Sequence, residues 1–224
     1  HGKGRGAGQS LVDAVDEGMV NKISFTGSTA VGKMIGEICG RNLVSCSLEL
    51  GGKNPNILFE DADLESAMAT SLRSSFANQG QICLCGSRML VHRSIQERVV
   101  ESLVEGARNL KIGDPLDEST QQGALISSSH RDKVASCVDR AREEGGEVLC
   151  GGRCPGDLPD RCADGFFYEP TVITGLDMDA EANMEEIFGP VVTITPFDEE
   201  EQAIDMANAT RYGLSASLGT RDEA

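Results

Sequence analysis

Two segments of the 224-residue chain carry side chains that could do covalent chemistry. In residues 48–55, Leu-Glu-Leu-Gly-Gly-Lys-Asn-Pro, a carboxylate leaves an apolar run and meets two glycines. The backbone there can turn sharply and approach a ligand closely. Burial on a strand would raise the carboxyl pKa and make Glu49 a usable general base. In residues 76–88, Phe-Ala-Asn-Gln-Gly-Gln-Ile-Cys-Leu-Cys-Gly-Ser-Arg, Cys83 follows a Gly-Gln turn. That is a place for an exposed thiol whose own N–H can point at an oxyanion. A cysteine in an amphipathic setting is more often a small buried hydrophobe, so the flanking turn is what raises Cys83 above Cys85.

A third segment, residues 27–33, reads Gly-Ser-Thr-Ala-Val-Gly-Lys between a strand pattern and a helix pattern, where backbone N–H groups can face an anion. It nearly spells the phosphate loop of nucleotide hydrolases. The position that should hold Mg²⁺ through a hydroxyl is Met34, however, and no apolar strand ending in Asp follows. The NTPase reading is set aside on both grounds. Cys150, Cys154 and Cys162 border a Gly/Pro/Asp-rich loop over 151–165, but their spacings fit no common zinc pattern and no fourth ligand is evident, so no metal is expected.

Strand and helix patterns alternate, which predicts an α/β fold with a largely parallel sheet. Strands are expected at 22–26, 44–50, 56–59, 89–91, 147–149, 171–173 and 191–195. Helices are expected after residue 8, with Leu11, Val12 and Val15 inward, and after residue 28, with Val31, Met34, Ile35 and Ile38 inward. A third over 61–78 carries Leu64, Met68, Leu72 and Phe76 at i+4 spacing. Capping boxes are expected at Ser94/Glu97 and Asp198/Glu201, and a helix start at Ser129 with Val134, Val138 and Ala141 inward. His92 and His130 read as surface residues at a strand end and a helix start.

Composition narrows the function class. The net charge is −16, with 36 acidic against 20 basic residues, which argues against binding nucleic acid. It argues equally against a basic membrane-surface helix. No apolar run approaches a membrane span and no secretory leader is visible, so reduced thiols in the cytoplasm are expected of the eight cysteines.

The three segments, with Glu185-Glu186-Ile-Phe-Gly-Pro190 further on, resemble the aldehyde dehydrogenase superfamily over essentially the whole chain. The resemblance includes the separation of 34 residues (83 − 49) between Glu49 and Cys83. It implies part of a Rossmann-type dinucleotide-binding domain over 1–48 and most of an α/β catalytic domain over 49–224. It implies Cys83 as the nucleophile that attacks an aldehyde, Glu49 as the base for thioester hydrolysis, and the Cys83 N–H as an oxyanion donor. Gly27 and Ser28 match the turn at a pyrophosphate, and Gly4, Gly8 and Val31 the adenine side. Glu186 matches the residue on the nicotinamide-ribose hydroxyls, with Phe188 nearby and Leu50 and Gly51 where the backbone nears the nicotinamide. NAD or NADP is the implied cofactor, NAD being favoured, and a small-molecule aldehyde the implied substrate.

Residues 73–85, 123–127 and 170–174 look most like the enzymes that oxidise 2-amino- or 2-hydroxymuconate semialdehyde, and Glu49 favours a hydrolytic enzyme over the CoA-acylating branch. Family members are about twice this length and the chain opens on His1. A fragment of a parent that assembles as a homodimer or homotetramer is therefore expected, inactive or nearly so alone. The alternative is a catalytically silent relative kept as a structural protein, against which the joint presence of Glu49, Cys83 and Glu186 speaks.

Overall fold

The structure, a computed structural model, describes residues 5–222, the side chain of Arg5 excepted. Gly4, expected on the adenine side, lies outside the described residues. The chain separates into two units, 1–51 and 52–224. The division falls just past the boundary expected after residue 48. β2 (Ser45–Glu49) is registered on β1 (Lys22–Thr26) as far as Thr26 opposite Glu49, which keeps Glu49 in the first unit.

The first unit is built from α1 (Arg5–Asp16), β1, α2 (Thr29–Arg41) and β2. The two strands pair in parallel with α2 as the connection, the β-α-β arrangement that the alternation predicts. Ser28 caps α2, its hydroxyl accepting from the Val31 N–H at 3.4 Å. Val12, Ile35 and Cys39 form the core, with Ile23, Phe25, Val44 and Leu48 packed on it. Val31 and Met34, expected inward, are instead exposed. The buried stripe of α2 runs Gly32, Ile35, Cys39, because Leu50 fills the space over Gly32.

The second unit is a six-stranded sheet with helices against it. Its strands are β3 (Pro55–Leu58), β4 (Arg88–His92), β5 (Glu147–Cys150), β6 (Thr171–Thr174), β7 (Val191–Phe197) and β8 (Ser217–Gly219), in the order β5-β6-β7-β4-β3-β8. All neighbours run parallel except β5, which pairs antiparallel on β6. The central strand β4 is buried except at His92. It thus reads as continuous Met-Leu-Val rather than alternating, as a strand covered on both faces should.

α3 (Leu64–Phe76) and α4 (Gln96–Asn109) pack together, and Met68, Phe76, Val99, Leu103 and Ala107 join Met89, Val91 and Ile194 in one core. Each large aliphatic side chain fully buried there contributes roughly 1.5–3 kcal/mol. α5 (Ser128–Glu143), with the short α6 (Glu181–Met184), builds a second core around Val134, Val138 and Ile173. α7 (Glu200–Asn208) closes a third around Leu90, Phe197 and Ala203.

Helix starts depart from the expected caps. α5 is capped by Ser127, whose hydroxyl accepts from the His130 N–H at 3.2 Å, rather than by Ser129. Ser94 lies inside a 3-10 turn (Arg93–Ile95) that precedes α4, so it cannot cap it; the His92 ring accepts the Ser94 N–H instead. Asp198 is held by Arg93 in a two-point ion pair, leaving α7 without a side-chain cap.

Candidate functional site

Cys83 lies in the loop between α3 and β4. After α3 the chain passes through Asn78 (φ 50°), Gln79 (φ 57°) and Gly80 (φ 68°), three successive left-handed residues. Non-glycine residues held in that region cost on the order of 1–3 kcal/mol each, so the turn must be fixed from outside. Gln122 Nε2 donates to Phe76 O at 2.8 Å, and the Ile126 N–H donates to Gln81 Oε1 at 3.0 Å. Gly80 admits no side chain: a Cβ there would stand 2.1 Å from Gly189 O. The loop therefore presses directly on the segment that carries Glu186.

Asn54 fastens the nucleophile loop. Its Nδ2 donates to Cys83 O at 2.8 Å and Cys85 O at 3.0 Å, while its Oδ1 accepts the Ser215 N–H at 3.1 Å. The Cys85 N–H closes a turn on Ile82 O. Within the second unit no described acceptor engages the Cys83 N–H. Cys83 is half-buried, whereas Cys85 is buried and its thiol pushed up by that burial.

Glu186 follows α6, and its Oε1 accepts the Gly52 N–H at 3.1 Å. α5 pins the backbone of this segment. Lys133 Nζ donates to Glu186 O at 3.3 Å, and His130 Nε2 lies 2.6 Å from Phe188 O with its ring edge-on to that of Phe188. Phe188 itself has φ 59°. A crevice lined by Gly52, Gly80, Ile82, Cys85, Glu186 and Phe188 runs between these groups.

His130 reads from the sequence as a surface residue at a helix start, and nothing in the sequence ties it or Lys133 to the segment 186–188. Two buried cations were missed altogether. Arg88, fully buried, donates from Nη1 to Met206 O at 2.6 Å and from Nη2 to Ala207 O at 2.8 Å, satisfying the last carbonyls of α7. Lys53 is 1% exposed and its Nζ has no hydrogen-bond partner. Burial, and after it the Arg88 charge, lower its pKa to about 7.

In the first unit, the Gly27 N–H donates to Glu49 O at 3.0 Å. A Cβ on Gly27 would overlap the Phe25 ring at 2.5 Å. Gly8 and Val31 line a largely apolar cleft of about 540 Å³ with Leu11, Val12, Ile23 and Met34. Leu50 packs over Gly32, and Gly51 is half-buried behind it. Glu49 is exposed: Leu48 packs on the core of the first unit, and Glu49, next along β2, faces the other way, so the burial expected of it is not seen.

Among the described residues no three His, Cys, Asp or Glu side chains gather as a metal site, and all eight cysteines are free thiols. No described helix is long and apolar enough to cross a membrane.

The family profile described as the aldehyde dehydrogenase family matches residues 1–224. The chain belongs to the aldehyde dehydrogenase family. It is 48% identical over 222 residues to the 2-aminomuconic semialdehyde dehydrogenase of Danio rerio, covering 99% of this chain and 45% of that one. To a betaine aldehyde dehydrogenase of Brucella anthropi it is 41% identical over 220 residues, covering 98% and 45%. The crystal structure of Staphylococcus aureus betaine aldehyde dehydrogenase in complex with NAD+ superposes with a TM-score of 0.92 at 39% identity, over 99% of this chain and 43% of that one. The chain thus spans about 45% of the length of the curated relatives it matches. The α/β fold agrees with family membership, and the four chemistry-bearing segments read from the sequence all fall inside the match.

Proposed function

We propose that the protein oxidises a semialdehyde of the 2-amino- or 2-hydroxymuconate type to its carboxylate with NAD, Cys83 acting as nucleophile and Glu49 as base. The reading is carried by one short segment, residues 52–54. Its Gly52 N–H holds the Glu186 carboxylate while the Asn54 amide holds the carbonyls on either side of Cys83's turn. A ribose-binding carboxylate and a nucleophile loop fixed by neighbouring residues are what a hydride-transfer site requires.

The residues present fit a dinucleotide. The Gly27 turn leaves no room for a side chain, Ser28 opens α2, and the cleft at Gly8 and Val31 offers apolar walls. When bound, the nicotinamide supplies the hydride acceptor. Cys83 Sγ, as thiolate, adds to the aldehyde carbon, and the Cys83 N–H stabilises the oxygen on which charge develops. Loss of hydride leaves a thioester on Cys83. Glu49 takes a proton from the water that attacks that thioester, and the carboxylate product leaves with the thiol restored. Glu186 orients the nicotinamide-ribose hydroxyls, and Phe188 walls the same side.

An oxyanion-hole donor is worth about 10²–10³ in rate, and these 224 residues span about 45% of the length of the relatives. We infer that these 224 residues alone turn over slowly or not at all, and that the whole protein works as a homodimer or homotetramer in the cytoplasm without a metal. The test is an assay of reduced nicotinamide formation by the whole protein with muconate semialdehydes and betaine aldehyde, in NAD and NADP. Cys83→Ala should abolish turnover. Glu49→Gln should keep the first burst of reduced cofactor and lose the steady state. Turnover persisting in Cys83→Ala would refute Cys83 as the nucleophile, whereas no turnover by the whole protein, with iodoacetamide labelling Cys83 no faster than the other thiols, would favour a silent structural protein.

A further inference from the structure

Helix α2 and strand β2 of the first unit bring two cysteines together that the proposed catalytic cycle does not use. Cys39 sits in the last turn of α2 and is fully buried. The Val44 N–H returns to Cys39 O at 2.9 Å, so the chain doubles back at once from the helix end into β2. Side chains alternate along a strand, and Val44 and Leu48 both pack on the core formed by Val12, Ile35 and Cys39. Cys46 lies between them on the same face. Register agrees: Leu48 stands 3.6 Å from where a Cβ on Gly36 would be, and one helical turn further along α2 is matched by two residues back along β2. Cys46 is close enough to Cys39 to act on its thiol electrostatically, yet Cys46 is exposed.

We propose that Cys39 and Cys46 are a disulfide-forming pair, oxidised by a hydroperoxide to a bond that staples the end of α2 to β2. The exposed Cys46 thiolate attacks the peroxide O–O bond, giving a sulfenic acid and releasing hydroxide (or alkoxide). That base takes the Cys39 proton. The Cys39 sulfur then attacks the Cys46 sulfur and expels hydroxide, which leaves as water once protonated. Overall, two thiols lose two electrons and two protons, and one peroxide is reduced. Burial, and after it the neighbouring Cys46, hold the Cys39 thiol above its ordinary pKa.

Trypsin cleavage after Arg41 separates the two sulfurs into the peptides 34–41 and 42–53, while Cys83 and Cys85 fall together in 74–88. The protein is treated with hydrogen peroxide, blocked with iodoacetamide in denaturant, and mapped by mass spectrometry without reduction. The expected result is peptides 34–41 and 42–53 joined, two hydrogens lighter than their sum, with equal loss of both alkylated forms and recovery by dithiothreitol. In Cys39→Ser, Cys46 should stop at a dimedone-reactive sulfenic acid. In Cys46→Ser, Cys39 should remain a thiol. Oxidation of Cys46 to sulfinic acid in the unmutated protein while Cys39 stays fully alkylatable would overturn the proposal, as would a Cys39 that oxidises equally fast in Cys46→Ser.

Discussion

Lys53 is the group whose removal should change the protein most in an unexpected direction. Its ammonium is buried with no hydrogen-bond partner, and its pKa falls from 10.5 to about 7. Desolvation is the leading cause, the Arg88 charge the next, and the more distant Cys137, Glu186 and Glu185 oppose both. Since one pKa unit corresponds to 1.36 kcal/mol, the shift represents about 5 kcal/mol of penalty at its upper bound. The sign follows from linkage. Between the folded and unfolded pKa values the unfolded chain binds more protons, so stability rises with pH across that window, by at most ~1.4 kcal/mol per unit. The penalty is complete below about pH 7 and gone above about 10.5. Methionine keeps an unbranched chain of similar length and leaves no polar atom to satisfy. Lys53→Met should therefore be more stable than the unmutated protein by roughly 2–5 kcal/mol at pH 6, the gap closing as pH rises to 10. Urea unfolding of both proteins at several pH values, at unchanged m, measures it. A gap that does not move with pH, or a variant less stable at pH 6, would refute the reasoning.

Four further substitutions test how the backbone is held. Asn54→Ala removes donors to Cys83 O and Cys85 O and an acceptor from Ser215; it should cost about 2–4 kcal/mol in urea unfolding and lower kcat more than it raises KM in the whole enzyme. Gly80→Ala places a Cβ against Gly189 O at positive φ and should cost more than about 3 kcal/mol. Gly18→Ala, also at positive φ but in open space, should cost only about 1 kcal/mol by thermal melting, which separates crowding from backbone strain. Arg88→Lys keeps the charge but loses the fork on Met206 O and Ala207 O, and should destabilise by about 2–4 kcal/mol with hydrogen exchange quickened at the end of α7.

Periodicity made most of the elements legible. Leu64, Met68, Leu72 and Phe76 lie on one face of α3, and β1 begins and ends at the residues where its pattern did. Caps were less legible, because a Ser or Asp followed three residues later by Glu is a local signal that tertiary partners override. Arg93, 105 residues from Asp198 in sequence, takes the carboxylate that would have capped α7. Glu49 shows the opposite limit. Its segment reads as a buried strand, but only one face of β2 meets the core, and Glu49 alternates with Leu48 onto the other. Nor could pattern reveal that Lys53 and Arg88 are buried, since a charged residue beside a glycine pair or opening a strand ordinarily faces water.

The places where local rules fail lie around the same few segments, and that coincidence is itself informative. Of the four non-glycine residues at positive φ among the described residues, Asn78, Gln79 and Phe188 flank Cys83 and Glu186, and Leu43 lies elsewhere. The unpartnered Lys53 ammonium sits between Gly52, which holds Glu186, and Asn54, which holds the Cys83 loop. Ordinary packing gives no reason to keep strained backbone and an unsatisfied charge within a few residues of one another, since each lowers stability where a common residue would not. They persist because the surrounding cores over-determine them: Val134 blocks any side chain at Gly189, Gly189 blocks any at Gly80, and the Cys83 loop is left with one conformation. On the proposed reading, a loop so fixed holds the Cys83 thiol and its N–H in a set geometry before any substrate arrives, and a preorganised site draws its rate advantage from that.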